Sequence, residues 1–145
     1  MAVVAGGLKS YPQTVRKTIT FTGAANLGAQ GAVPLFTVTG EVLVERLSAF
    51  CTVDLVGATA TLALGVTGST ALFVAATTAT DIDLGDFWFD TTPDPNGFAL
   101  PAALKDIAIT DYIIGTVGVA DITAGAIRLD VLWRPLSADG SIVAA

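Results

Sequence analysis

No stretch of this chain holds a helical period for more than a turn, whereas short runs alternate apolar and polar residues with period two. Alternation of that kind puts one set of side chains on each face of a pleated strand. Arg16-Lys17-Thr18-Ile19-Thr20-Phe21-Thr22 sets Thr against Ile and Phe. Residues 126–134 set Ile127, Leu129, Val131 and Trp133 against Arg128, Asp130 and Leu132. In residues 41–54 the pattern places Val42, Val44 and Arg46 on one face and Leu43, Glu45 and Leu47 on the other. Further strands are expected at residues 33–39, 59–66, 70–76 and 87–89, with one or two across 107–119. Turn residues separate them, most clearly Thr67-Gly68-Ser69 and Thr91-Thr92-Pro93-Asp94-Pro95-Asn96-Gly97. Pro101-Ala102-Ala103-Leu104 reads as one helical turn, and residues 136–145 as a tail.

Eight or nine short strands carrying nineteen Thr, with no second domain and no internal repeat, imply an all-β single-domain sandwich. A jelly-roll-like sandwich over residues 16–145 is the preferred reading, although this strand count also fits an immunoglobulin-like one. Residues 1–15 mix small apolar residues with Gly6-Gly7 and Pro12, keep neither period, and read as an extended N-terminal arm. A chain of 145 residues buries roughly 70% of the surface its unfolded form exposes, so no disulfide or metal is needed to fold it.

Composition carries the main functional clue. Apolar residues make up 52% of the chain and charged residues 14%, against about 25% charged in ordinary soluble domains. Such a surface belongs either in lipid or against other protein. Lipid is the weaker reading. The longest uncharged run, residues 55–80, holds Gly57, Gly65, Gly68 and eight Ser or Thr residues, and within it Thr59 to Leu64 alternate with period two. The strands are too few and too short for a transmembrane barrel. The opening Met-Ala-Val-Val-Ala-Gly-Gly-Leu-Lys has too short an apolar core, and its charge on the wrong side, for an export signal. The net charge is −6 and the only adjacent basic pair is Arg16-Lys17, which excludes a nucleic-acid reader. Contact with other protein chains is therefore the expectation.

Catalysis finds little support. With no histidine in the chain, Ser-His-Asp and Cys-His machinery and most transition-metal sites are ruled out. Cys51 lies in an apolar run and reads as a buried, inert thiol. Residues 23–31 are rich in Gly but lack the Lys-Ser/Thr of a phosphate loop. No carboxylate pair presents itself for glycosidic hydrolysis. Asp81, Asp83 and Asp86, followed by Asp90 and Asp94, are the residues that would serve Ca²⁺. They lack the closing Glu of an EF-hand loop, so a solvated loop is expected and no metal or cofactor is assigned. Phe87, Trp88 and Phe89 are consecutive and cannot all enter one core, so they are assigned to an interface together with Val3, Val4 and Leu8 of the arm.

Four segments carry a resemblance: Leu35-Phe36-Thr37-Val38-Thr39-Gly40-Glu41-Val42, Ala76-Thr77-Thr78-Ala79-Thr80-Asp81-Ile82-Asp83, the Trp88-x-Asp90-x-x-Pro93-Asp94 stretch, and Trp133-Arg134-Pro135-Leu136-Ser137-x-Asp139-Gly140. Across roughly residues 17–145 the chain resembles small proteins encoded in the head-gene region of tailed phages and prophages. The resemblance implies a capsid decoration, or cement, protein: a β-rich homotrimer at local threefold points that clamps neighbouring copies of the major capsid protein. It would be made in the host cytoplasm and placed on the head surface of the virion, and it carries over no catalytic residue. The arm would then reach onto the capsid or an adjacent trimer. A glycan-binding module, or another phage structural part of the tail or neck, is the alternative.

Overall fold

The structure is a computed structural model that describes residues 12–145. Among these residues nine strands form: β1 (Gln13–Thr20), β2 (Gly31–Thr39), β3 (Val42–Val56), β4 (Thr61–Val66), β5 (Ser69–Thr78), β6 (Ile107–Ile109), β7 (Ile113–Gly118), β8 (Ala124–Pro135) and β9 (Ser141–Ala144). They make two antiparallel sheets, ordered β1-β8-β3-β6 and β5-β4-β7-β2-β9. Strand partners nest around the β4–β5 hairpin: β3 pairs with β6, β2 with β7 and β1 with β8. A long hairpin rolled up in this way is a jelly roll, with β9 added at the free edge of β2. The immunoglobulin arrangement keeps its first two strands in one sheet. Here β1 and β2 lie in opposite sheets, so the topology is settled.

β8 runs between β1 and β3, and its alternation organises the four-stranded sheet. Ile127, Leu129, Val131 and Trp133 point into the core, as the sequence pattern requires. In β3 the simple alternation breaks. A bulge between Val44 and Arg46 inserts Glu45. Val42 and Val44 face inward, but Leu47, Ala49 and Cys51 take the inward positions after the bulge, and Arg46 faces out. An extra residue in one strand shifts side-chain parity by one, which no period-two count anticipates.

Three boundaries differ from the sequence reading. Gln13, Thr14 and Val15, assigned to the arm, belong to β1 and pair with Trp133, Leu132 and Val131. The supposed C-terminal tail contains β9, four residues that seal the core with Ile142 and pair with Phe36 to Thr39. The expected strand at residues 87–89 makes only isolated bridges, from Phe87 to Phe50 and to Asp94. Its neighbours still hydrogen-bond alongside β3: Cys51 N donates to the Asp86 carbonyl and Trp88 N to the Ala49 carbonyl, both at 2.9 Å. The long β5–β6 connection thereby extends the edge that β6 occupies lower down β3. The expected helical turn is a single 3-10 turn, Ala102–Leu104.

Trp88 is the largest fully buried side chain. Its indole N–H donates to the Thr77 hydroxyl at 2.9 Å, and that hydroxyl donates to the Ala75 carbonyl at 2.9 Å. Thr77→Val keeps the shape but strands the indole N–H, and is expected to cost about 1–3 kcal/mol. Gly115 borders a narrow void between the sheets, beside Val33, Leu62 and Trp88. A methyl group there would meet Leu62 Cδ1 at 3.4 Å, an ordinary contact. Gly115→Ala is expected to add about 0.5–1 kcal/mol. Urea unfolding followed by tryptophan fluorescence measures both changes, and their signs are opposite.

Candidate functional site

The two sheets differ sharply in charge. β2, β4, β5, β7 and β9 contain no Asp, Glu, Lys or Arg at all. The four arginines of the chain all lie on β1, β3 and β8, at positions that alternate with core residues and so point outward. Cross-strand register brings them together, with Arg16 opposite Asp130, Arg128 opposite Thr18 and Phe50, and Arg46 opposite Leu132. Arg16 Nε meets Asp130 Oδ1 at 2.6 Å, Arg128 Nε meets Asp130 Oδ2 at 3.4 Å, and Arg134 meets Glu45 Oε1 at 2.9 Å. Arg46 is exposed and makes no ion pair among the described residues. Asp130 and Glu45 thus answer three of the four guanidinium groups, while Asp54, farther along β3, accepts the Leu84 backbone N–H. Four arginines against three carboxylates leave this face with surplus positive charge in a chain whose net charge is −6. It is also hollow: Thr14, Arg16, Arg46, Ser48, Asp130 and Leu132 line a depression of about 660 Å³.

Aromatic rings lie farther along β3, where Phe50 follows Ser48 on the outward face. Phe50 lies 5.0 Å from Phe87, Phe87 5.4 Å from Phe98, and Phe98 stacks on Phe89 at 4.2 Å. The Arg128 guanidinium sits 5.2 Å above the Phe50 ring, within cation–π range. Of the three consecutive aromatics assigned to an interface, Phe87 and Phe89 are half-buried in this cluster. Trp88 is not available: it points through to the core at 1% exposure, which corrects its assignment. Phe50 and Phe98 belong to the same surface and escaped sequence reading. The β3 bulge hid the outward parity of Phe50, and Phe98 follows an irregular loop. Val3, Val4 and Leu8 lie outside the described residues.

Three of the five aspartates, Asp86, Asp90 and Asp94, serve local structure. Asp86 is 8% exposed and its Oδ2 accepts the Asp83 backbone N–H at 3.1 Å, closing a turn. Asp90 and Asp94 each accept the backbone N–H two residues on. Asp81 and Asp83 face solvent. Among the described residues no three acidic or sulfur side chains converge as metal ligands would. The hollow is lined by hydroxyl, guanidinium and aliphatic groups and one carboxylate, a lining suited to binding a surface. No described helix is long and apolar enough to cross a membrane.

No family model matches the chain, and no curated protein matches it. A solved structure does: a chain of the cyanophage Pam1 capsid asymmetric unit, with a TM-score of 0.50 and 18% identity. The match covers 92% of this chain and 93% of that one. At this identity the likeness is one of fold, and it extends over nearly the whole of both chains.

Cys51 is fully buried, its Sγ 3.1 Å from the Val53 carbonyl oxygen. Burial, reinforced by the negative charges of Asp54, Asp86 and Asp83, pushes its thiol up to about 11 from an ordinary 9.0. The unfolded chain therefore releases a proton between these values that the fold retains, so the contribution is intact below about pH 9 and lost as pH rises towards 11. Stability in that window is expected to fall more steeply for the parent than for Cys51→Ala, read as denaturant midpoints across the pH series. Equal slopes would contradict the buried neutral thiol.

Proposed function

We propose that the chain is a structural protein of a tailed-phage head, and within that class a decoration protein that sits on the outer surface of the capsid as a small oligomer, a trimer, and ties neighbouring capsid subunits together. The observation that carries this reading is the shared jelly roll: the likeness to a chain of the cyanophage Pam1 capsid asymmetric unit runs across more than nine-tenths of both chains. The two are thus of similar length, and the shared fold fills the capsid component as it fills this chain. The segments that resemble small head-region proteins support the same role. So does the low charge content, since a five-stranded sheet without any charged residue suits burial against protein.

No catalytic step belongs to this role, and it places the chain in the virion. A glycan-binding reading is less well supported. Phe89 is stacked on Phe98, and Phe87 lies against both Phe50 and Phe98, so these rings pack on one another instead of standing free for a sugar.

Light scattering of the purified chain tests the oligomer. A mass near three times 14.7 kDa that persists on dilution is the expected result, and a monomer throughout would contradict it. Because β1 starts at Gln13, removal of residues 1–11 spares every described strand. If the arm reaches the capsid, the shortened chain melts like the parent but binds purified heads more weakly. Undiminished binding would refute that part of the reading.

A further inference from the structure

The outward face of the β1-β8-β3-β6 sheet has surplus positive charge, a hollow and, farther along β3, phenylalanine rings. Arginine and aromatic residues are the types enriched at protein interfaces. The chain supplies the complementary chemistry itself. Between Thr78 and Lys105 the β5–β6 connection carries Asp81, Asp83, Asp86, Asp90 and Asp94 and no basic residue. Asp81, Asp83 and Asp90 are exposed. Hydrogen bonds from residues 85–88 to β3 carry this connection past the β3 edge of the same sheet, so the acidic surface lies to one side of the arginines.

We infer that the occupant of the arginine face is a second copy of this chain, seated through the acidic β5–β6 connection of that copy. The inference rests on the oligomeric reading above and specifies its interface. Two different patches of one molecule meet, so the contact is heterologous, and a rotation that returns to its start closes it into a ring. Arg46 then gains the carboxylate partner that it lacks among the described residues. Charge complementarity sets partner and register, while Phe87, Phe89 and Phe98 add apolar area beside it. Salt screens exposed charges, so the ring weakens as ionic strength rises.

Sedimentation velocity of the full chain, in 50 mM and 1 M salt, tests this with three variants. Arg46→Glu disables the arginine face, Asp81→Lys/Asp90→Lys disables the acidic surface, and Arg46→Gln removes charge without reversing it. Thermal melts confirm that each folds. The parent is expected to dissociate at high salt. Arg46→Glu is expected to weaken assembly about tenfold or more, with Arg46→Gln in between. Each reversed variant alone assembles more weakly than the parent, and an equimolar mixture of the two is expected to recover assembly, because the reversed arginine face of one then meets the reversed acidic surface of the other with opposite charges while the unreversed pair of patches is unchanged. Recovery in the mixture ties the two patches to one contact, and a mixture no better assembled than either variant alone would overturn it. An oligomeric parent that ignores salt and keeps its size with Arg46→Glu would overturn this interface while leaving the oligomer in place. A parent that is monomeric in both salts would overturn the oligomeric reading itself.

Discussion

β8 is the strand on which both sides of this molecule depend. Its inward residues, Ile127, Leu129, Val131 and Trp133, meet Ile19 and Val15 across one register and Cys51, Ala49 and Leu47 across the other. Its outward residues, Arg128, Asp130 and Arg134, collect the charges of β1 and β3 through the same backbone ladders. Core closure and surface charge are therefore set by a single alternation. A slip of one residue would drive guanidinium groups between the sheets and apolar side chains into water, at a cost far beyond the marginal stability of a domain this size.

The second sheet works by a different rule. Its five strands have no charge to keep one face wet. Small residues and Thr take most of the outward positions, Thr61, Ala63 and Gly65 on β4 and Thr116 and Gly118 on β7, with Ile114 and Val143 among them. Such a face loses little on leaving water and forms no strong bond with it, which makes it cheap to cover. The arginine face, by contrast, is costly to desolvate unless carboxylates meet it. One molecule thus presents two surfaces with different demands on a partner.

Much of this was legible in the sequence, for a definite reason. Where one face of a strand is buried and its ladder is regular, period two is strict, and β8 is read from it directly; the β4–β5 hairpin is legible from its Thr67-Gly68-Ser69 turn, since bulges interrupt its ladder. The jelly-roll preference was legible only as a strand count; the nesting of pairs around β4–β5 emerges from long-range register. The failures share a cause as well. The Glu45 bulge reverses parity within β3 and so concealed Phe50. β9 is too short to show a period. Trp88 and its two neighbours looked equivalent in sequence, yet the buried hydroxyl of Thr77 draws the indole to the core while Phe87 and Phe89 turn out. The arginine face was invisible because Arg16, Arg46, Arg128 and Arg134 are scattered along the chain and are gathered only by the sheet.

The central claim is that this jelly roll lies on the outside of a phage head. Cryo-electron microscopy of heads with and without the chain addresses it most directly. The account predicts sandwich-shaped densities in groups of three on the outer surface, absent from heads that lack the chain. Outer surfaces that are identical in the two reconstructions, or density for the chain only at the neck or tail, would contradict it.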